Sequence, residues 1–328
     1  MTASIRSSIS VTGSDIATLR LLICFITGLL FTGSPVLYAY ETDQVTNRNQ
    51  AIRDSTEILN QQVNEALLEL SQKWRGPRNE KRFISKVYHK IGGHHWVDKL
   101  ERWAMKSEEV EKLNIARYGS IYSKHPITAT RVTKFFGIGP TIRLNDQLIG
   151  SDKIGHFISQ GKKFNYRWRK SGGEQQAAER SAYTERAIFG QMTTGSYSNA
   201  DLVANYEGHR FYRSLFEDGI TPGKKSILIW NGERWEIRRP FDWADHVNAY
   251  WDEGLNFNHY NRLLYKRMVV RLRQFCPAYY AQPALYVIED EAPLLEKYSI
   301  LFLRETSELR LSNLCESEPL ETTIRTVR

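Results

Sequence analysis

Two short stretches carry side chains whose types and spacing suit chemistry. Ser151-Asp152-Lys153-Ile154-Gly155-His156-Phe157 sets a carboxylate and an imidazole four residues apart, on one face of a helix. Ser198-Asn199-Ala200-Asp201, followed by Asn205, Gly208 and His209, sets Asp201, Asn205 and His209 at i, i+4 and i+8. Leu202, Val203 and Tyr206 interleave with them, so this polar stripe lies beside apolar surface. A polar stripe that turns inward needs partners, because an unpaired buried charge is costly. The Asp152/His156 face is one candidate partner, and Glu185 in the intervening segment is another.

Facing carboxylates and imidazoles can do three things. They can ligate a metal, perform acid/base work in which a carboxylate fixes the imidazole tautomer, or form a satisfied network that specifies helix packing or clamps a ligand. The last is the favoured reading, and metal is the weakest, since no short HxxxH, HxH or CxxC spacing occurs. The catalytic candidates are therefore His156, Asp152, Asp201, His209 and Glu185, the substrate-binding candidates are Lys153, Asn205 and Ser198, and no metal or cofactor is assigned.

The elements that must position these residues are helical. Three helices are expected across the centre: from Ser151 or Asp152 to about Arg169, from Glu174 to about Met192, and from Ser198 to about Phe216. Ser198 and Asp201 have the capping-box arrangement, with Asp in the Glu position. Upstream, periodic apolar residues predict a helix over 42–74 capped by Thr42 or Asp43, a shorter one burying Phe83, Ile84, Val87 and Ile91, and a third from Trp96 to Asn114. Asn145-Asp146 predicts a hairpin over 141–149, and Asn231-Gly232 a second between Ile227–Trp230 and Glu233–Ile237. Helical patterns follow over 241–251, 256–275 (stopped by Cys276-Pro277) and 294–314. The fold class is mainly α: a compact helical domain with one or two short β-hairpins.

At this level the motifs resemble the VanZ-like group and related bacterial envelope proteins. The likeness rests on Asp152-Lys153-x-x-His156-Phe157, then Glu185, then Ser198-x-x-Asp201-x-x-x-Asn205-x-x-Gly208, with Gln191 loosely spaced, and spans about residues 151–209. It implies a cell-envelope role without a fixed reaction. VanZ-like helices span the membrane, whereas Phe164-Asn165-Tyr166-Arg167-Trp168-Arg169-Lys170 and Glu174-Gln175-Gln176 cannot lie in lipid, so a shared feature would be helix packing.

Export fits that reading. Residues 1–39 resemble a signal peptide, with Arg6 and Arg20 before an uncharged run; an uncleaved anchor is the alternative. Beyond it, the expected domains are a helical core over 40–226 and a hairpin plus C-terminal helical lobe over 227–328. The 328 residues carry a net charge of +8, and removing residues 1–39 takes away two arginines and one aspartate, leaving +7. A basic exported protein meets anionic lipid headgroups and wall polymers, which makes an envelope component and the membrane surface the expected partners and excludes nucleic acid. The expected location is the periplasm, or the membrane, of a Gram-negative bacterium. In an oxidising compartment Cys276 and Cys315 can pair, closing a loop worth about 3–4 kcal/mol in the chain-entropy model.

Other motifs are decoys. Gly219-Ile220-Thr221-Pro222-Gly223-Lys224-Lys225-Ser226 lacks the P-loop spacing, and Gly137-x-Gly139 lacks a third glycine. His94-His95 reads as a helix-start cluster, and Ser198 as a cap rather than a nucleophile. The aromatic and acidic segment Trp243–Tyr260 could line a sugar groove, but ordinary core packing is favoured. The function these signals imply is an exported envelope protein whose Asp/His/Glu/Asn cluster binds or recognises an envelope component. The alternative is a hydrolase acting on lipid phosphate or wall polymer through the same cluster.

Overall fold

A computed structural model describes residues 41–93, 97–123, 125, 137–189 and 195–317. The export segment over 1–39, His94, His95 and Trp96, Gln191 and Met192, and the tail beyond Ser317 lie outside the described residues. The fold is mainly α-helical, and among the described residues the strands form two-stranded pairs.

Helix α1 is Thr56–Gln72 and buries Leu59, Val63, Ala66 and Leu67, one stripe at spacings of three and four. It starts well after the expected Thr42 or Asp43. The reason is local: the Asp43 carboxylate accepts the backbone N–H groups of Val45 and Thr46, closing a turn, and also that of Ile121. Strand β1 (Glu41–Thr42) instead pairs in parallel with β2 (Ile138–Gly139). Helix α2 (Glu80–Ile91) is capped by Asn79 and buries Phe83, Ile84, Val87 and Ile91, as its spacing requires. Helix α3 (Lys99–Lys106) is shorter than expected, because Leu113 is drawn into a bridge with Thr141 and the chain between runs extended or turned.

The first hairpin forms as the turn chemistry dictates. Strands β3 (Thr141–Leu144) and β4 (Gln147–Gly150) flank Asn145 and Asp146, which take φ of 48° and 59°, the left-handed pair of a type I′ turn. The second hairpin, β6 (Leu228–Trp230) with β7 (Trp235–Ile237), is closed by four residues rather than two. The Asn231 side chain accepts from Glu233 and Arg234, widening the turn.

At the centre, α4 (Asp152–Gly155) runs through a π-helical turn, His156–Gln160, into α5 (Gly161–Ser171), and ends at Gly172 with φ 77°. Helix α6 (Glu174–Thr184) continues into a second π turn, Glu185–Phe189. Strand β5 (Ser196–Tyr197) leads into α7 (Asn199–Ser214), which is buried along almost its whole length.

The C-terminal third breaks four expectations. Residues 241–251 are not one helix but two 3₁₀ turns, each begun by a side chain, Asp242 or Asn248, that accepts a backbone N–H and so competes with helix. Residues 256–260 feed strand β8 (His259–Tyr260), paired with β5, and α8 starts only at Asn261, spanning Arg262–Leu272. Cys276-Pro277 starts α9 (Cys276–Ala281) rather than stopping a helix, since proline fits a first turn. The 294–314 pattern is two short helices, α10 (Ala292–Lys297) and α11 (Leu311–Glu316), joined by irregular chain. Cys276 and Cys315 form a disulfide with Cα atoms 5.5 Å apart.

Apolar side chains gather mainly in two clusters. The larger joins α1, α2, α5, α7 and the second hairpin around Phe83, Phe157, Phe211, Trp235 and Trp243. The smaller joins Tyr122, Tyr260, Leu264, Met268, Leu272 and Leu314 beside the disulfide.

Candidate functional site

The site is made by a close helix crossing. Gly161 of α5 and Gly208 of α7 meet backbone to backbone: a Cβ on Gly208 would stand 1.9 Å from the Phe157 carbonyl oxygen and 2.9 Å from the Gly161 Cα. Glycine is required here because nothing in the backbone opposite can move aside. The π turn begins at His156, one turn from this crossing, and π turns often mark functional positions. As a result His156 Nε2 lies 3.2 Å from Asp201 Oδ2, and His156 Nδ1 lies 3.1 Å from Asn205 Oδ1. Asn205 Nδ2 in turn donates to Ser181 of α6 at 3.2 Å. The two sequence stretches therefore do converge, through His156, Asp201 and Asn205.

Lys153 lies at the centre of the cluster. Its side chain is only 1% exposed, and its ammonium stands 2.7 Å from Asp152, 2.6 Å from Asp201 and 2.9 Å from Glu253. Burial alone would lower its pKa; the three carboxylates override that and raise it well above the ordinary lysine value. Glu253 also accepts from the Ser198 hydroxyl at 2.7 Å and from the Thr42 hydroxyl at 3.0 Å. The Ser198 hydroxyl accepts the Asp201 N–H at 3.1 Å, so it is a helix cap as expected. Glu185 accepts the Ser198 N–H at 3.2 Å.

The carboxylates differ in their electrostatics. Burial pushes Asp152 up to about 6, although Lys153 pulls against it. Burial and the neighbouring Asp201 hold Glu185 well above the ordinary range. Asp201 is also buried, but His156 and Lys153 outweigh that and lower it. Behind them Glu101 is raised by burial, then by Asp152 and Asp98, and burial pushes Asp98 itself up to about 7 while it accepts from Ser159. The cluster thus holds more carboxyl groups than cations, and several of them favour the protonated form.

Three sequence expectations change. His209 does not join the cluster. An i, i+4, i+8 stripe drifts about 40° per step around a helix, and His209 is carried to the α5 side. There it stacks between Phe164 and Trp168, with centroids 5.0 and 5.1 Å away, and faces Asn165 and Glu174. Lys153, Asn205 and Ser198, expected to bind substrate, are buried and already bonded within the cluster, so they position its carboxylates and imidazole. Glu253, Thr42 and Glu101 were missed. The only trace of them was Glu253 within the acid-rich Trp243–Tyr260 segment, whose aromatics serve as core: Trp243 and Trp251 pack on Phe157 at 4.7 and 5.8 Å.

The rim of the cluster is its accessible part. The side chains of His156, Asp152 and Asp201 are 21%, 15% and 12% exposed. Arg186 and Tyr197, the sequence neighbours of Glu185 and Ser198, line a groove of about 280 Å³ with Tyr183, Phe302 and Arg304, and no residue of the cluster lines it. Both ring nitrogens of His156 are engaged, Nε2 with Asp201 and Nδ1 with Asn205. Among the described residues, Asp152, His156 and Asp201 bring one ligand atom each to within 4.8 Å of one another. The Lys153 ammonium already supplies positive charge to both aspartates, so a divalent ion there would have to compete with it.

No family model matches the chain, and no curated protein or solved structure matches it either.

Proposed function

We propose that this is an exported envelope protein that binds an envelope component at the His156–Asp201 rim, with the Lys153 cage as the rigid base of the site. The observation that carries this reading is the contrast within one cluster. Lys153, Ser198 and Asn205 are sealed and engaged, whereas the side chains of His156, Asp152 and Asp201 keep part of their surface in solvent. A few convergent polar groups held in place, with an accessible edge, are what orients a ligand in a small-molecule site. The signal-peptide-like pattern expected over residues 1–39 and the VanZ-like resemblance of the Asp-Lys…His and Ser…Asp…Asn…Gly motifs are what favour an envelope component.

Binding is favoured over hydrolysis because the His156 ring has both nitrogens occupied. One observation favours the hydrolase, the closeness of ligand atoms from Asp152, His156 and Asp201, which a metal-assisted mechanism would use. The test is co-sedimentation of purified protein with isolated wall sacculi and soluble short-chain lipid phosphates, read by imidazole NMR at His156. Binding by the wild type that is lost in Asp201→Asn supports the proposal. Equal behaviour of the two proteins overturns it. Chelator-sensitive phosphate release that is abolished in His156→Ala would assign the hydrolase instead.

A further inference from the structure

Between Glu253 and Glu289 the chain contains no acidic residue in 35 positions, yet carries Arg262, Lys266, Arg267, Arg271 and Arg273. Helix α8 lies inside this stretch. Its inner face is fixed: Leu264, Met268 and Leu272 are buried in the smaller core cluster. Arg271 turns inward too, its guanidinium donating to the carbonyls of Ser120 and Gly119 at 3.2 and 2.8 Å. The disulfide at Cys276 ties the end of this region to α11. The helix therefore cannot rotate, and what it shows outward is set by the fold.

The outward stripe consists of Leu263, Lys266, Arg267, Val270 and Gln274, all exposed. At 100° per residue they fall within an arc of about 100°, with Leu263 and Val270 at its centre and Lys266 and Arg267 on its two sides. Leu263 is 54% and Val270 66% exposed, and Arg262 adds a further cation at the N-terminal edge. Beyond the helix, Tyr280 is 61% exposed, its ring outward while its hydroxyl donates to the Cys315 carbonyl. The Arg117 loop lies alongside, since Arg117 and Arg267 both act on the buried His125.

We infer that the outward face of α8 docks on an anionic phospholipid surface. Two features select lipid over the alternatives. A basic stretch with no acidic residue of its own matches anionic headgroups. A soluble polyanion would explain the cations but not the outward leucine and valine, which can enter the headgroup boundary while the long Lys and Arg side chains reach back to phosphate. This face is separate from the His156–Asp201 rim, so the inference stands whether or not that rim binds a ligand.

The experiment is co-sedimentation of the full chain with vesicles of phosphatidylcholine alone or mixed with phosphatidylglycerol. Binding to the anionic vesicles only, falling as salt rises, is expected. Arg262→Gln/Lys266→Gln should weaken it roughly thirtyfold, at about 1 kcal/mol per basic residue near the surface. Leu263→Ser/Val270→Ser should weaken it several-fold. These positions are solvent-exposed, and an unchanged circular dichroism spectrum and an intact disulfide would verify that the variants fold. Equal binding to both vesicle types, or no binding, overturns the inference. So does binding to soluble polyphosphate that matches vesicle binding and survives Leu263→Ser/Val270→Ser, which would make the face a polyanion site.

Discussion

Two faces of helix α7 carry similar residues and treat them differently. On one, Asp201 and Asn205 hold His156 at the rim of a cluster in which Asp152, Glu185 and Glu253 outnumber Lys153. On another, two residues beyond Asn205, Glu207 is fully buried and meets His246 at 3.1 Å, Lys297 at 2.6 Å, Arg210 at 3.4 Å and the Tyr298 hydroxyl at 2.9 Å. Burial pushes Glu207 up, but these partners more than offset it and hold it at about 2. Burial likewise keeps His246 below the ordinary imidazole range despite Glu207. The second network is sealed and well supplied with cations, as a packing device should be. The first has surplus carboxyl groups and an open edge. Polar clusters alone do not indicate a site; an unbalanced charge that reaches solvent does.

The largest effect expected from breaking this contrast is at Lys153. Lys153→Met would leave three buried carboxylates without their common cation, a loss of about 3–5 kcal/mol. Urea denaturation would measure it. A Glu207→Gln loss of similar size would mean that the two networks are equivalent, since Lys297 can turn to water when its partner goes. The two histidines divide the same way. His209 is unexposed among Phe164, Trp168 and Tyr206, so His209→Ala should cost about 2–4 kcal/mol through the cavity it leaves. His156→Ala, at the rim, should cost less than about 1 kcal/mol and act on binding instead.

How much of this could be read in advance depended on distance along the chain. The Asn145-Asp146 turn, the Ser198 cap and the inward face of α2 were legible because each is decided by residues within one or two turns. The convergence of His156 on Asp201 was legible as a pattern, because Gly161 and Gly208 permit the crossing that brings it about. The Lys153 cage was not legible. Thr42 and Glu253 arrive from opposite ends of the described chain, and no local spacing announces them. His209 was misjudged because three residues four apart look like one stripe in sequence but diverge on a real helix. The helices expected over 42–55 and 241–251 failed because Asp43, Asp242 and Asn248 offer their side chains to the backbone, a competition that apolar periodicity does not register.

The crossing itself can be tested next. In Gly208→Ala the added methyl meets the Phe157 carbonyl and the Gly161 Cα, both backbone, so the helices must separate. A cost of about 1–3 kcal/mol is expected. The more telling result is positional: the His156 ring should leave Asp201, and its imidazole NMR resonances should shift. A destabilised protein with unchanged His156 resonances would show that the rim does not depend on the crossing.

The smallest effect separates the two kinds of buried carboxyl by pH. Carboxyl groups raised in the folded state, Asp98 at about 7 and Asp152 at about 6, bind protons there that the unfolded chain has already released. Their contribution is complete below about pH 4 and is lost as pH rises toward 7. Glu207 and Glu174, both held near 2, behave oppositely: their contribution is present above about pH 4.5 and is lost as pH falls toward 2. Stability should therefore peak near pH 4–5 and decline on both sides. Asp98→Asn should flatten the limb above the peak, where a change on the order of 1–2 kcal/mol between pH 5 and 7 is expected. Glu207→Gln should flatten the limb below it. Denaturation midpoints across pH for the wild type and both variants would read this directly. If Asp98→Asn left the upper limb intact, the burial of the Asp98 carboxyl would not be the source of that limb.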